Sequence, residues 1–208
     1  MAIVEPCWKS YIVKTAQPVL TPQQCDELIR IGQSEPKIEG TIGFGYSGGF
    51  KNVADKNRKI DHSYRKSIIR WIPFAKATQI YKVLGQWVEA TNNNCFGFDT
   101  IHLSEQAQYA EYSKGGFYNW HIDSSIQMSA MPVVRKISMT LLLNDPKDFE
   151  GGELEIYSGH TLDSEQNKFK LKRGYAVFFA SFLLHRVIPV IKGNRKSLVM
   201  WFGGKPLK

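Results

Sequence analysis

EQAQYAEYSKGGFYNWHID, residues 105–123, is the stretch on which the fold turns. Two short segments rich in aromatic residues, 105–112 and 117–123, flank Gly115-Gly116, a pair that permits a turn and a close backbone approach. The same texture recurs downstream at 136–143, 152–157, 168–172, 175–180, 185–191 and 196–202. Eight short strands separated by Gly, Asn and Asp turns, with no helix between them, predict an antiparallel sandwich or jelly roll.

Upstream of residue 95 the period changes. Thr21-Pro22-Gln23-Gln24 has a Thr N-cap, Pro at the first helical position and Gln three residues after the cap, and Cys25, Leu28 and Ile29 then form an apolar stripe. Ala77, Ile80, Tyr81, Leu84, Trp87 and Val88 recur at three and four residues, which predicts a second amphipathic helix stopping at Asn92-Asn93-Asn94. The reading is mainly β with N-terminal helices (α+β). It makes 1–208 a single domain, with 1–94 as helical support and a Gly-rich loop, and 95–208 as a double-stranded β-helix (jelly-roll) core. The loop, 40–57, contains GFGYSGG but lacks the Gly-Lys-Ser/Thr ending of a phosphate cradle.

His121 and Asp123 are two apart on an expected strand, so both side chains face one side of the sheet and can share a ligand. His185 opens another strand and can bring a second imidazole to the same point. Two His and one carboxylate on rigid strands make the facial triad that suits non-haem Fe(II) and leaves three positions open. His62, His102 and His160 lack that context and read as ordinary surface or core residues. Cys7, Cys25 and Cys95 are an odd number without a C-x-x-C pair, which argues against disulfides and a closed zinc site.

The chain has 208 residues and a net charge of +8, and the segment 51–82 alone carries +7 of it. Tyr64, Trp71 and Tyr81 interleave with these bases as stacking surfaces for a nucleic acid would, although a solvated basic face is the commoner outcome and no nucleic-acid-binding motif accompanies them. No run of roughly 18 apolar residues is present to span a bilayer, and MAIVEPCWKSYIVK is unlike a signal peptide, so no membrane partner and a cytoplasmic location are expected.

Three segments together resemble a known family. QYAEYSKGGFYNWHID, RKISMTLLLNDPKDFEGGELEIY and LHRVIPVIKGNRKSLVMWF are similar, in order and spacing, to the Fe(II)/2-oxoglutarate-dependent dioxygenases of the prolyl 4-hydroxylase-like group, particularly its PKHD-type members. The resemblance covers roughly residues 58–203. It assigns His121, Asp123 and His185 to iron and Arg195, after the turn Lys192-Gly193-Asn194, to the distal carboxylate of 2-oxoglutarate. Tyr112 and Ser138 match positions whose hydroxyls hold that co-substrate, and Tyr118 and Trp201 match aromatic positions beside the reacting centre. Read as residues alone, Tyr118 and Trp201 could equally be core, and Ser138 could face either way.

The resemblance implies Fe(II), 2-oxoglutarate and O2 as requirements, leaves ascorbate open, and makes loops 40–57 and 124–135 a lid and a substrate wall. Hydroxylation of a prolyl or other peptide side chain is the leading expectation. A free amino acid or small metabolite is the alternative; nucleic-acid demethylation and a non-catalytic jelly-roll module rank lower, and the oligomeric state is open.

Overall fold

A computed structural model describes residues 10–42, 60–99, 101–103, 105–124, 133–157, 159 and 165–206. In chain order its elements are β1 (Ile12–Lys14), α1 (Pro22–Ser34), β2 (Ile38–Glu39), β3 (Arg65–Lys66), β4 (Ile68–Ile72), α2 (Thr78–Thr91), β5 (His102–Leu103), β6 (Ala107–Ser113), β7 (Phe117–His121), β8 (Val134–Leu142), β9 (Phe149–Gly151), β10 (Leu154–Ile156), β11 (Lys168–Phe169), β12 (Ala176–Ala180), β13 (His185–Val187) and β14 (Val190–Gly204). All strand pairs given below are antiparallel. The larger sheet runs β1-β12-β8-β14-β6-β4-β2, with β5 and β9 also on β14; the smaller runs β11-β10-β13-β7-β3.

The α1 start forms as its residues require: Thr21 Oγ1 accepts from the Gln24 backbone at 3.2 Å, and Gln24 Oε1 accepts from the Thr21 backbone at 2.9 Å. Its buried face is Cys25, Leu28, Ile31 and Gly32, while Ile29 is only partly covered. α2 ends at the Asn run, its last residue being Thr91 and its C-cap Asn92. The chain continues from there into a π-helical turn, Asn92–Phe96, closed by Gly97, and the Asn92 side chain bonds both the N–H and the carbonyl of Phe98, offering the chain a local alternative to the helix ladder.

Both helices pack into a core with the outer face of the large sheet, including Tyr109, Ile137, Met139, Leu141, Phe178 and Phe202. A second cluster joins Leu142, Val177 and Phe179 of the large sheet to Leu154 and Ile156 of the small one. Side chains of this size contribute about 1.5–3 kcal/mol each when fully buried, so the two clusters hold the layers together.

Two expectations change here. The N-terminal part is not helical support alone, since β1, β2 and β4 are strands of the large sheet. Lys192-Gly193-Asn194 is not a turn either. It lies inside the fifteen-residue β14, which pairs with β9 there and shifts register between Val190 and Lys192, so the chain kinks without leaving the sheet. Loop 43–57, loop 125–132, Cys7 and His160 fall outside the described residues.

Candidate active site

β7 and β13 are neighbours in the small sheet, and His121 pairs directly with His185 in their register. The two imidazoles therefore meet, with ring centroids 4.1 Å apart. Asp123 follows just past the end of β7, where its backbone N–H donates to the Ser181 carbonyl at 2.9 Å. Its Oδ2 lies 3.3 Å from His185 Nε2 and its Oδ1 3.7 Å from His121 Nε2. One ligand atom from each of the three residues falls within 4.8 Å of the others.

The far sides of these groups are held as a metal site needs. His121 Nδ1 faces the Asn119 carbonyl at 2.7 Å and His185 Nδ1 the Leu183 carbonyl at 2.9 Å, so each ring carries its proton on Nδ1 and presents a bare Nε2 inward. Burial, reinforced by His185, holds His121 well below the usual imidazole range. Burial alone would raise Asp123, but the two imidazoles beside it outweigh that and keep its carboxyl well below the usual carboxylate range. A neutral His121 and an ionised Asp123 are the states in which these groups take up a divalent cation. The donor set therefore fits the group that the spacing predicts.

The cavity around the triad, about 100 Å³, is walled by both sheets. Tyr112, Gln108, Val199 and Trp201 come from β6 and β14, Thr140 and Arg135 from β8, and Leu154 and Val187 from the small sheet. Tyr118 stacks on His121 with centroids 3.5 Å apart and planes 16° from parallel, and burial pushes its phenol up to about 12, so it stays a hydrogen-bonding O–H. Trp201 lines the cavity beneath the Arg135 guanidinium, 4.0 Å from its ring, and its buried Nε1 has no hydrogen-bond partner among the described residues. Arg135 is itself forked onto Glu105 by two 2.6 Å hydrogen bonds.

Two expected residues lie outside the lining of this cavity. Ser138 is fully buried and donates to Asp123 Oδ2 at 2.7 Å, with Ser181 Oγ at 2.9 Å, so it orients the carboxylate rather than facing the cavity. The hydroxyl that β8 offers the cavity is that of Thr140, two residues on, as strand period requires. Arg195 is buried and pairs in register with Tyr112, its guanidinium 5.5 Å from that ring and donating to Ser197 Oγ at 2.8 Å. It lines an adjoining cavity of about 300 Å³, and Leu154 is common to both cavities. Gly152 makes room for it: at φ +70° a side chain is strained, and a Cβ there would lie 3.0 Å from Arg195 Cδ.

Part of the lining was not legible in the sequence: the strands that extend the two sheets beside β7 and β6. Arg65, Ile69 and Trp71 come from β3 and β4, inside the segment taken for a basic surface. The alternation Ile69, Trp71 was a period-2 signal hidden among charges. Within its described part, 60–82, several of these residues are taken up by the fold. Arg70 pairs with Glu111 and Lys76 with Glu35, Tyr64 donates its hydroxyl to the Trp120 carbonyl, and Tyr81 is core, bonded to the Ile72 carbonyl. The three aromatics do not form a shared stacking face.

Residues 107–203 match the 2OG-Fe(II) oxygenase superfamily. A PKHD-type hydroxylase of Colwellia psychrerythraea is 39% identical over 92 residues, which take in 44% of this chain and 40% of that protein. One from Picosynechococcus sp. is 30% identical over 187 residues, 88% of this chain and 74% of that protein. Among solved structures, a viral collagen prolyl hydroxylase from Paramecium Bursaria Chlorella virus-1 in its 2OG complex superposes with TM-score 0.66 at 22% identity, covering 94% of this chain and 97% of that one. A Trichoplax adhaerens prolyl hydroxylase bound to a hypoxia inducible factor peptide gives 0.68 at 17%, covering 92% and 83%. These superpositions establish the jelly-roll fold. With one relative matched along most of both chains, and the triad lying on strands inside the superfamily stretch, the chain belongs to the PKHD-type 2OG-Fe(II) oxygenases.

Proposed function

We propose that this protein hydroxylates a prolyl or other peptide side chain, consuming 2-oxoglutarate and O2 and releasing succinate and CO2. The observation that carries the reading is the convergence of His121, Asp123 and His185 within 4.8 Å, both imidazoles pinned through Nδ1 to backbone carbonyls. These three would hold Fe(II), which together with 2-oxoglutarate supplies the oxygen activation that side chains lack.

The protein's own residues hold and shield. Ser138 and the Ser181 carbonyl fix Asp123, so the carboxylate does not have to reorganise when a cation arrives. Tyr112 and Arg195 supply a phenol and a cation at the β6–β14 side for the co-substrate's far carboxylate, a geometry suited to charge-assisted bonds. Tyr118 keeps His121 from rotating and offers a neutral O–H toward the cavity. Ile69, Val187, Val199, Trp71 and Trp201 exclude water from the space where the substrate carbon would sit. The peptide class draws support from the Trichoplax relative's bound peptide.

The test is anaerobic titration with Fe(II) or Mn(II), followed by assay of succinate from 2-oxoglutarate with and without capped proline peptides. One metal per chain, lost in His121→Ala and His185→Ala, together with peptide-stimulated succinate and a +16 product, is expected. Full metal affinity in either variant would overturn the site, and metal-dependent succinate without any oxidised peptide would overturn the peptide class.

A further inference from the structure

Arg65 is a buried cation on the wall of the triad cavity, 7% exposed, and no carboxylate pairs with it among the described residues. Its three hydrogen bonds go to neutral acceptors: Nε to Ser67 Oγ at 2.8 Å, Nη1 to the Thr41 carbonyl at 3.2 Å and Nη2 to Gln108 Oε1 at 2.9 Å. A guanidinium has five N–H donors, so one remains on each terminal nitrogen, the pair that grips a carboxylate through two bonds. The group is built in place. Its plane is held over the Tyr118 ring at 4.3 Å, and Gly40 leaves the space it needs, since a Cβ there would lie 2.5 Å from Nε.

Position gives the arrangement its meaning. Tyr118 is sandwiched between the Arg65 guanidinium and the His121 imidazole, the latter 3.5 Å away centroid to centroid. An anion held by Arg65 therefore sits one ring's breadth from the triad, in the cavity the reacting carbon must enter. Arg135, another cation lining this cavity, is already neutralised by Glu105. A buried cation without a counter-charge is costly unless something arrives to pair with it.

Building on the hydroxylase reading, we propose that Arg65 anchors a carboxylate of the substrate itself, separately from the co-substrate. The substrate residue is then either chain-terminal, with its own α-carboxylate, or next to an acidic side chain. A neutral interior proline lacks the group this site is made to bind.

Three probes separate these sources: N-acetyl-Ala-Pro-Ala-amide, N-acetyl-Ala-Pro with a free carboxylate, and N-acetyl-Ala-Pro-Asp-amide. Binding is read without turnover, from tryptophan fluorescence of protein loaded with Mn(II) and 2-oxoglutarate, because Trp71 and Trp201 line the same cavity. One of the two acidic probes should bind about 10- to 100-fold more tightly than the neutral one, and which of them does so identifies the source of the carboxylate. Arg65→Gln should erase the preference and Arg65→Lys keep part of it, with the 2-oxoglutarate titration unmoved in both. Equal binding of all three probes by the wild-type protein would overturn the anchor even if Arg65→Gln failed to fold, and so would weakened 2-oxoglutarate binding in Arg65→Lys. Succinate formed from 2-oxoglutarate, with or without a probe, tests the hydroxylase reading on its own: its absence throughout sinks that reading and leaves the binding preference to be judged separately.

Discussion

The two walls of the triad cavity come from parts of the chain with different histories in the sequence. One wall, from β6, β7, β8, β13 and β14, lies inside the stretch 107–203 that matches the superfamily, and it holds the His-Asp-His cluster, Tyr112, Thr140 and Trp201. The other wall, Thr41 with Arg65 of β3 and Ile69 and Trp71 of β4, continues the same sheets beside β7 and β6 and lies outside that stretch. The first is specified by metal chemistry, which tolerates little change in donor type or distance. The second touches the first at Gln108, Tyr118 and Trp201, and it holds no member of the triad. Chemistry and selection are thus separable here, and substitutions on one wall should leave the other's readout alone.

The largest effect expected is from the ligands. Replacing His121, Asp123 or His185 by Ala should weaken Mn(II) binding by more than the roughly 10- to 100-fold that losing an outer partner costs, and should abolish succinate whatever substrate is offered. Calorimetric titration checks it, and a variant that still binds Mn(II) normally would break the division at its base. Next is Arg195→Ala, which should leave metal affinity intact and weaken 2-oxoglutarate by about 10- to 150-fold, the equivalent of about 1.5–3 kcal/mol for a charge-assisted contact, with Arg195→Lys milder. An unchanged 2-oxoglutarate titration would leave Arg195 as a partner of Ser197 and Tyr112 only.

Ser138→Ala removes the hydroxyl on Asp123 and should lower metal affinity about 10- to 100-fold without altering the preference among substrate probes. A shift in 2-oxoglutarate affinity instead would return Ser138 to the co-substrate. On the other wall, Trp71→Ala should cost on the order of 1–2 kcal/mol in probe binding, about 5- to 30-fold, while metal and 2-oxoglutarate titrations stay as they were.

The smallest effect concerns pH. The unfolded chain carries an ordinary imidazole at His121, whereas burial holds it well below 6.5 in the fold, so the unfolded state takes the proton first as pH falls. Stability of the metal-free protein should therefore decline below about pH 6.5, by at most about 1.4 kcal/mol per pH unit for this group. Urea midpoints at pH 7.5 and 5.5 measure it, and His121→Gln should flatten the slope. An equal slope in that variant would place the sensitivity elsewhere.

Local rules sufficed where an element's partners are near in sequence. The Thr21 capping box needs only four residues, and His121 and Asp123 share a face because strand period is two. The jelly-roll texture and the second imidazole were legible for the same reason, since alternation and turn residues are written along each strand. Other features depend on pairing between distant segments, which no local pattern encodes. Ser138 and Thr140 share the inner face of β8, and the register of β8 against β14 and β12 decides that the first meets Asp123 and the second the cavity; a one-residue slip would turn both to the outer face. Lys192-Gly193-Asn194 has the composition of a turn, yet ladder bonds from β9 and β6 hold it in β14. Arg65 had the look of one solvated base among many. Only the tertiary structure seats it over Tyr118, beneath Gly40 and beside Gln108, because burying a charge requires partners contributed from three separate parts of the chain.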